Sequence, residues 1–307
     1  MERARRQSVA PSKQEPSALR VAMHPKYTGI QYIIPAFALL TLVLFSPVFY
    51  GVWFSLFHIQ YGAATTFAGV QNYQDLLADP TLPGTLQRSI IFTGAAVSIT
   101  IVLSLALAVW IHKLGERRGF LVQMVVIVPW IISTVVATLL FRWVFVNDIG
   151  LAGSIVKMMG LDEIHLLNSP HSAMALLIAV SVWKRIGYAV IILLAGLKGI
   201  PDDYEEAARI DGATPWQIFR RITFPLLKTP LLLVAIVLTL SNLNTVETPL
   251  VLTGGGPGDA TRILPMDVFD RAFITYDLGS ATALALAMFF GNVLLVLAYV
   301  RLAKWKT

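Results

Sequence analysis

Cysteine is absent from the 307-residue chain, which excludes a disulfide framework, a thiolate metal site and a thiol nucleophile. Charge is scarce: Asp, Glu, Lys and Arg make up 14% of residues and hydrophobic types 56%, a balance too apolar for a soluble globular domain and typical of a polytopic membrane protein. No Gly-Lys dipeptide occurs, so the phosphate-cradling loop of a P-loop ATPase is missing and the chain cannot be its own motor. HExxH, an EF-hand loop and a Ser nucleophile within GxSxG are missing too. His24, His58, His112, His165 and His171 are scattered near the ends of apolar stretches, where imidazole is a solvated interface residue rather than a metal ligand. The net charge of +6 could suggest nucleic acid, but its placement indicates membrane orientation.

Residues 1–28 carry Arg3, Arg5, Arg6, Lys13, Arg20 and Lys26 among Pro, Ser and Gln, and read as a disordered tail. An uncharged run from Tyr27 to Phe57 is longer than a signal-peptide core and lacks an A-x-A site, so 29–57 is expected to remain as a first transmembrane helix kinked at Pro35 and Pro47. Crossing the hydrocarbon takes roughly twenty apolar residues. On that length, five more spans fall near 88–111, 120–145, 172–197, 229–252 and 279–300. Six spans place both termini on one side. Of the 24 Lys and Arg, seventeen lie on that side, while Arg88, Lys157, Arg262 and Arg271 lie opposite and Arg142, Lys184 and Arg185 fall inside spans. The positive-inside rule makes the termini and the loop after the fourth span cytoplasmic.

That loop, 199–228, carries more local design than a connection needs. Pro201-Asp202-Asp203 reads as a helix start, with acidic side chains able to accept the free N–H groups of the first turn. Tyr204, Ala207 and Ala208 share a face, and Gly212 can end the helix in a left-handed conformation. Thr214-Pro215-Trp216-Gln217 fits a capping box, after which Trp216, Phe219 and Ile222 recur on one face until Pro225. Five basic and five acidic residues from Lys198 to Lys228 leave no basic excess for lipid, so a protein partner suits this surface better than the bilayer.

Glu206-Ala207-Ala208, three residues, Gly212, nine residues, Ile222, two residues and Pro225 resemble the EAA loop of the membrane subunits of binding-protein-dependent ABC importers, with Phe224 standing where the family usually has Leu. Trp183-Lys184, Leu194-Ala195-Gly196-Leu197 and Ile200-Pro201 resemble the stretch before that loop in the carbohydrate branch, where a Pro-Phe pair is frequent in place of Gly187-Tyr188. Leu252-Thr253-Gly254-Gly255-Gly256-Pro257 resembles the LTGGGP turn of the same branch. The resemblance implies an all-α, six-span type I importer fold, with a core at 86–302, in a bacterial or archaeal plasma membrane. It implies a second permease, two cytoplasmic ATPases, an extracytoplasmic solute-binding protein and a sugar-like solute as partners, with ATP and Mg on the ATPases and no cofactor in this chain. Glu205, Glu206, Ala207, Ala208, Asp211, Gly212, Ala213, Trp216 and Phe219 would couple to the ATPase.

Two cations inside the membrane demand an explanation. Lys184 and Arg185 lie mid-span, where each costs about 2.5–3.5 kcal/mol on insertion scales, and Glu247 is the candidate counter-charge. Asn242, Asn244, Thr245, Glu247 and Thr248, ending at Pro249, suggest a partly unwound segment along a water-accessible path. Trp183 and Tyr188 would offer ring faces to a sugar and the polar run hydroxyl partners; alternatively the charges only fix two helices together. The acids of the outer loops, Asp148, Asp162, Glu163, Asp259, Asp267, Asp270 and Asp277, either solvate those loops or receive the binding protein. Two other classes stand beside the importer reading: a secondary transporter coupling an ion through Lys184, Arg185 and Glu247, and a membrane enzyme, for which no constellation is evident.

Overall fold

The computed structural model describes residues 28–146, 150–159 and 166–304; the tail at 1–27 and the acids Asp148, Asp162 and Glu163 lie outside the described residues. The chain divides into two units, one ending at Phe49 and the other running from Tyr50. Helix α1 (Thr28–Ser55) carries no charged residue and passes both Pro35 and Pro47 without interruption.

In the second unit a two-residue strand pair, β1 (Phe57–His58) and β2 (Thr66–Phe67), pairs antiparallel and leads to α2 (Gln71–Ala78). Helix α3 (Leu82–Lys113) has 32 residues, about 48 Å at 1.5 Å per residue, and outruns the ~30 Å hydrocarbon layer. Beside the buried Phe92, Val97 and Ile111, its packed face carries a stripe of small residues, Thr85, Ser89, Thr93, Ala96, Thr100, Ser104 and Ala108, three or four apart. Several of those hydroxyls bond back to the preceding turn, Ser89 Oγ to Thr85 O at 2.8 Å and Thr100 Oγ1 to Ala96 O at 2.6 Å, which satisfies them within the helix, whereas the buried Thr93 Oγ1 has no protein partner among the described residues.

The third span departs from expectation. Instead of one helix over 120–145 there are two, α4 (Glu116–Ile131) and α5 (Thr134–Phe145), which meet at 92°. Sixteen residues make about 24 Å, so α4 alone falls short of the hydrocarbon thickness. Ile132 and Ser133 are both extended, with ψ of 142° and 133°. The short α6 (Leu151–Met158) follows.

Helix α7 (Pro170–Lys198) is the axis of the second unit. Val190, Leu193 and Leu197 from α7 join Val97, Ala108, Val234 and Leu238 in one core cluster, and Leu177 and Val180 join Phe92, Leu252, Ile263 and Met266 in another. Two glycines bring neighbours close to it. A Cβ on Gly187 would lie 2.5 Å from Val126 O of α4, and one on Gly196 would lie 2.6 Å from the Pro230 ring. The helix is continuous through Gly187-Tyr188.

After α7 come α8 (Asp203–Ile210), α9 (Pro215–Ile218), a π-helical turn over Phe219–Thr223 and α10 (Phe224–Leu226). Pro225 does not stop the run, because the wide turn bonds Phe224 N–H back five residues to Phe219 O and a proline fits just beyond it. The stop comes at Leu227, where the chain bends by 64° into α11 (Lys228–Leu243). The fifth span is broken as well: the helix opens at 244–246 and resumes as α12 (Glu247–Leu252), which contains Pro249.

The turn beyond α12 folds back on the start of α3. Gly254 and Gly255 take φ of 62° and 88°, angles an L side chain resists. Thr261 Oγ1 meets Thr253 Oγ1 at 2.7 Å and donates to Gly256 O at 2.8 Å. Arg262 then anchors α13 (Leu264–Phe269), through Asp267 at 2.5 Å, Asp270 at 2.6 Å and Asp259 at 3.9 Å. Burial works against the Arg262 cation, but the Asp267 hydrogen bond and the charges of all three carboxylates outweigh it and raise its pKa. A second π-helical turn over Asp270–Ile274 leads to α14 (Leu278–Lys304), whose first turn is capped by Asp277 Oδ1 accepting from Ser280 N at 3.0 Å. The acids Asp267, Asp270 and Asp277 are therefore engaged within the chain.

Candidate functional site

The loop after α7 is built from two caps facing each other across a tight corner. At the end of α8, Asp211 is the last half-helical residue and Gly212 takes φ 77°. Gly212 N–H then donates to Arg209 O at 3.0 Å and Ala213 N–H to Ala208 O at 2.9 Å, the paired bonds of a Schellman motif. Directly after it Thr214 opens α9: Thr214 N–H donates to Gln217 Oε1 at 2.8 Å and Gln217 N–H to Thr214 Oγ1 at 3.4 Å, the reciprocal capping box. At the other end of α8, Asp202 is itself in a helical conformation and makes no side-chain cap, so Asp202 and Asp203 favour the first turn by charge alone.

Exposure separates anchors from free surface. No residue of α8 is buried, Ile210 is 86% exposed and Trp216 67% exposed. Glu206, Ala207 and Asp211 are open, while Ala208, Ala213 and Phe219 are half covered. Glu205 holds Arg209 at 3.2 Å one turn on. Trp216 and Phe219 stack with centroids 5.7 Å apart. Beneath them, Ile218 and Leu227 are buried, two anchors that the Trp216/Phe219/Ile222 periodicity does not single out. Between this loop and the C-terminal end of α3 lies a cavity of about 700 Å³, with Val109, Lys113, Glu205, Trp216 and Phe219 in its wall.

The cations of α7 find partners other than the expected one. Lys184 and Arg185 are each 9% exposed. Lys184 Nζ donates to the carbonyls of Pro129 at 2.9 Å, Trp130 at 3.0 Å and Ile132, and Arg185 donates through Nε to Ser241 Oγ at 3.0 Å and through Nη2 to Ser241 O at 3.2 Å. Glu247 attracts Arg185 by charge, but among the described residues its carboxylate forms no ion pair with either cation. Helix carbonyls, with their concentrated partial negative charge, take the place of the expected counter-ion. Neither the carbonyls of α4 nor Ser241 stands out in a sequence, since backbone carries no residue-specific mark; Pro129 with Ser133 is the one hint of a break.

The remaining path candidates separate by exposure. Trp183 meets Phe141 edge-on at 5.0 Å and Tyr188 lies 5.8 Å from Trp130, so both rings already have aromatic partners. Asn242 is fully buried; it donates to Leu238 O at 2.8 Å and its Oδ1 has no protein partner among the described residues, like Nη1 of Arg185. Asn244 and Glu247 are exposed on either side of the break between α11 and α12, and Asn292 of α14 donates to Asn244 Oδ1 at 3.1 Å.

Comparison with known proteins agrees with this architecture. The family described as binding-protein-dependent transport system inner membrane component matches residues 100–307. Among curated relatives, the sulfoquinovosyl glycerol transport system permease protein SmoG of Agrobacterium fabrum is 31% identical over 280 residues, covering 91% of each chain. The trehalose/maltose transport system permease protein MalF of Thermococcus litoralis is 29% identical, covering 91% of this chain and 94% of its own. A bacterial ABC transporter involved in the import of the acidic polysaccharide alginate has the same fold, with TM-score 0.79, 18% identity and coverage of 92% of this chain and 97% of that one. A stand-alone secondary transporter finds no support in these relatives, nor in a lysine whose donors are all engaged and a Glu247 bonded to neither cation. An exposed, doubly capped helix pair at the end of an apolar span, on a chain of interrupted spans, is what the matches account for: the protein belongs to the family of inner-membrane permease components of binding-protein-dependent ABC importers.

Proposed function

We propose that this chain is a permease subunit of an ATP-driven importer for a sugar or related solute. Its termini and the 199–228 loop face the cytoplasm, and the core runs over 86–302. The observation that carries the reading is the loop itself: α8 has no buried residue, yet its geometry is held by a Schellman turn and a capping box, so a rigid surface is presented outward. A coupling element needs both properties, since a flexible loop would absorb a push instead of transmitting it. One of two ATPase subunits would dock on this surface through Glu205, Glu206, Ala207, Ala208, Asp211, Ala213, Trp216 and Phe219, with Gly212 fixing the corner, and the other would dock beneath the second permease. A second permease would complete the path, and a solute-binding protein would deliver from outside. The names of the curated relatives, sulfoquinovosyl glycerol and trehalose/maltose permeases, support the carbohydrate class.

Within the membrane the path is assigned to the face carrying the exposed Asn244 and Glu247, with the half-buried Trp183 and Tyr188 and the buried Arg185 and Asn242 as its further candidates. Lys184 drops out of the solute contacts, because an ammonium has three donors and three carbonyls take them. The test is Glu206→Lys in the reconstituted complex. Expected is normal membrane insertion with loss of solute-stimulated ATP hydrolysis and of uptake; unchanged stimulation contradicts the coupling assignment.

A further inference from the structure

The bend between α4 and α5 places the end of a helix inside a membrane span. The last carbonyls of α4 have no intrahelical partner, and in hydrocarbon an unsatisfied carbonyl is costly. Pro129, Trp130 and Ile132 present three of them to one point, and Lys184 Nζ occupies that point. The match is complete on both sides: three donors, three acceptors, and a positive charge at the negative end of a helix dipole. The approach that permits it is set one turn further along α7. At Gly187 the α7 backbone lies so near α4 that a Cβ would stand 2.5 Å from Val126 O and 2.9 Å from Ile127 Cα, closer than side chains tolerate. Two rings flank the junction, Tyr188 beside Trp130 and Trp183 beside Phe141 of α5.

We propose that Lys184 is a positioning residue of the translocation path, which keeps the third span broken by capping the carbonyl end of α4 and touches no solute. The bend then belongs to the working geometry of the permease: without the ammonium the span gains by straightening across Ile132-Ser133, which would return the freed carbonyls to a continuous helix. The activity arm of the test rests on the importer reading above; the geometric arm does not.

Because the chain has no cysteine, spin labels can be placed on engineered cysteines at Val125 and Val136, which are 71% and 50% exposed, in the full importer complex. The unmodified complex is expected to give one narrow inter-label distance, and Lys184→Met a longer and broader distribution. Uptake in Lys184→Met is expected to lose about tenfold or more in kcat, with KM for the loaded binding protein unchanged, as removal of charge-assisted bonds made away from the solute implies. Gly187→Ala keeps the ammonium but pushes α7 off α4, and is expected to shift both readouts the same way; it decides the matter if Lys184→Met does not assemble. An unchanged inter-label distance overturns the proposal, as does a rise in KM at constant kcat, which would make Lys184 a solute contact. Failure of the importer reading shows separately, as absence of ATP-driven uptake by the unmodified complex.

Discussion

Gly212 shows how much one backbone angle carries. Its φ of 77° is what lets α8 end and α9 begin within four residues, and an L side chain there costs about 1 kcal/mol or more. Gly212→Ala is therefore expected to speed amide hydrogen exchange at positions 212 and 213, whose bonds close the turn, while leaving exchange in α7 unchanged; exchange at 212 and 213 as slow as in the unmodified protein argues against a strained corner. Asp79 offers a residue-scale test in pH. Burial tends to raise its pKa, but hydrogen bonds from the Thr81 hydroxyl and N–H and the Arg271 guanidinium outweigh it, so the carboxyl titrates below its usual 3.8. A depressed folded-state pKa gives stabilisation that is complete above the ordinary carboxylate value and is lost as pH falls through the folded value. The tie between the end of α2 and Arg271 is expected to weaken only in acid below about pH 4. Hydrogen exchange across 71–82 measured against pH checks this, and Asp79→Asn should abolish the dependence.

At the scale of elements, the turn between α12 and α13 is held by one cation serving three carboxylates. Asp267 has a side chain only 7% exposed, and removing Arg262 leaves that acid without its partner. Arg262→Gln is expected to lower thermal stability in detergent by about 1–3 kcal/mol, reduced by the partial exposure of Arg262, with much of the loss recovered in Arg262→Gln/Asp267→Asn. No recovery in the double variant would mean that the turn is held by its glycines and threonines instead. The broken spans belong to this scale too. The polar run from Asn242 to Thr248 announces an unwound segment, and the helix does open at 244–246. The break between α4 and α5 carries almost no such mark, since Val-Pro-Trp-Ile-Ile-Ser reads as continuous apolar sequence.

For the whole molecule, the strongest prediction concerns orientation. Single cysteines introduced at Ile210 and Asp259, both exposed, are expected to react with a membrane-impermeant thiol reagent from the cytoplasmic side and the outer side respectively. The reverse pattern would invert the topology and remove the coupling loop from ATP. The absence of native cysteine makes the background clean.

The amino-acid sequence by itself determined the class of molecule, the approximate places of the spans, and the corner at Gly212 with its Thr214 cap. Those features follow from apolar run length and from local bonds between residues a few positions apart, which a linear reading captures. Only the tertiary structure decided where the buried charges go. Lys184 is joined to carbonyls more than fifty residues away, Arg185 to Ser241, Asp267 and Asp270 to Arg262, and Asp277 to the start of α14. A charge inside a membrane must find a partner, but a backbone carbonyl is the same at every residue, and which one lies within reach is settled by how α7 packs against α4 at Gly187.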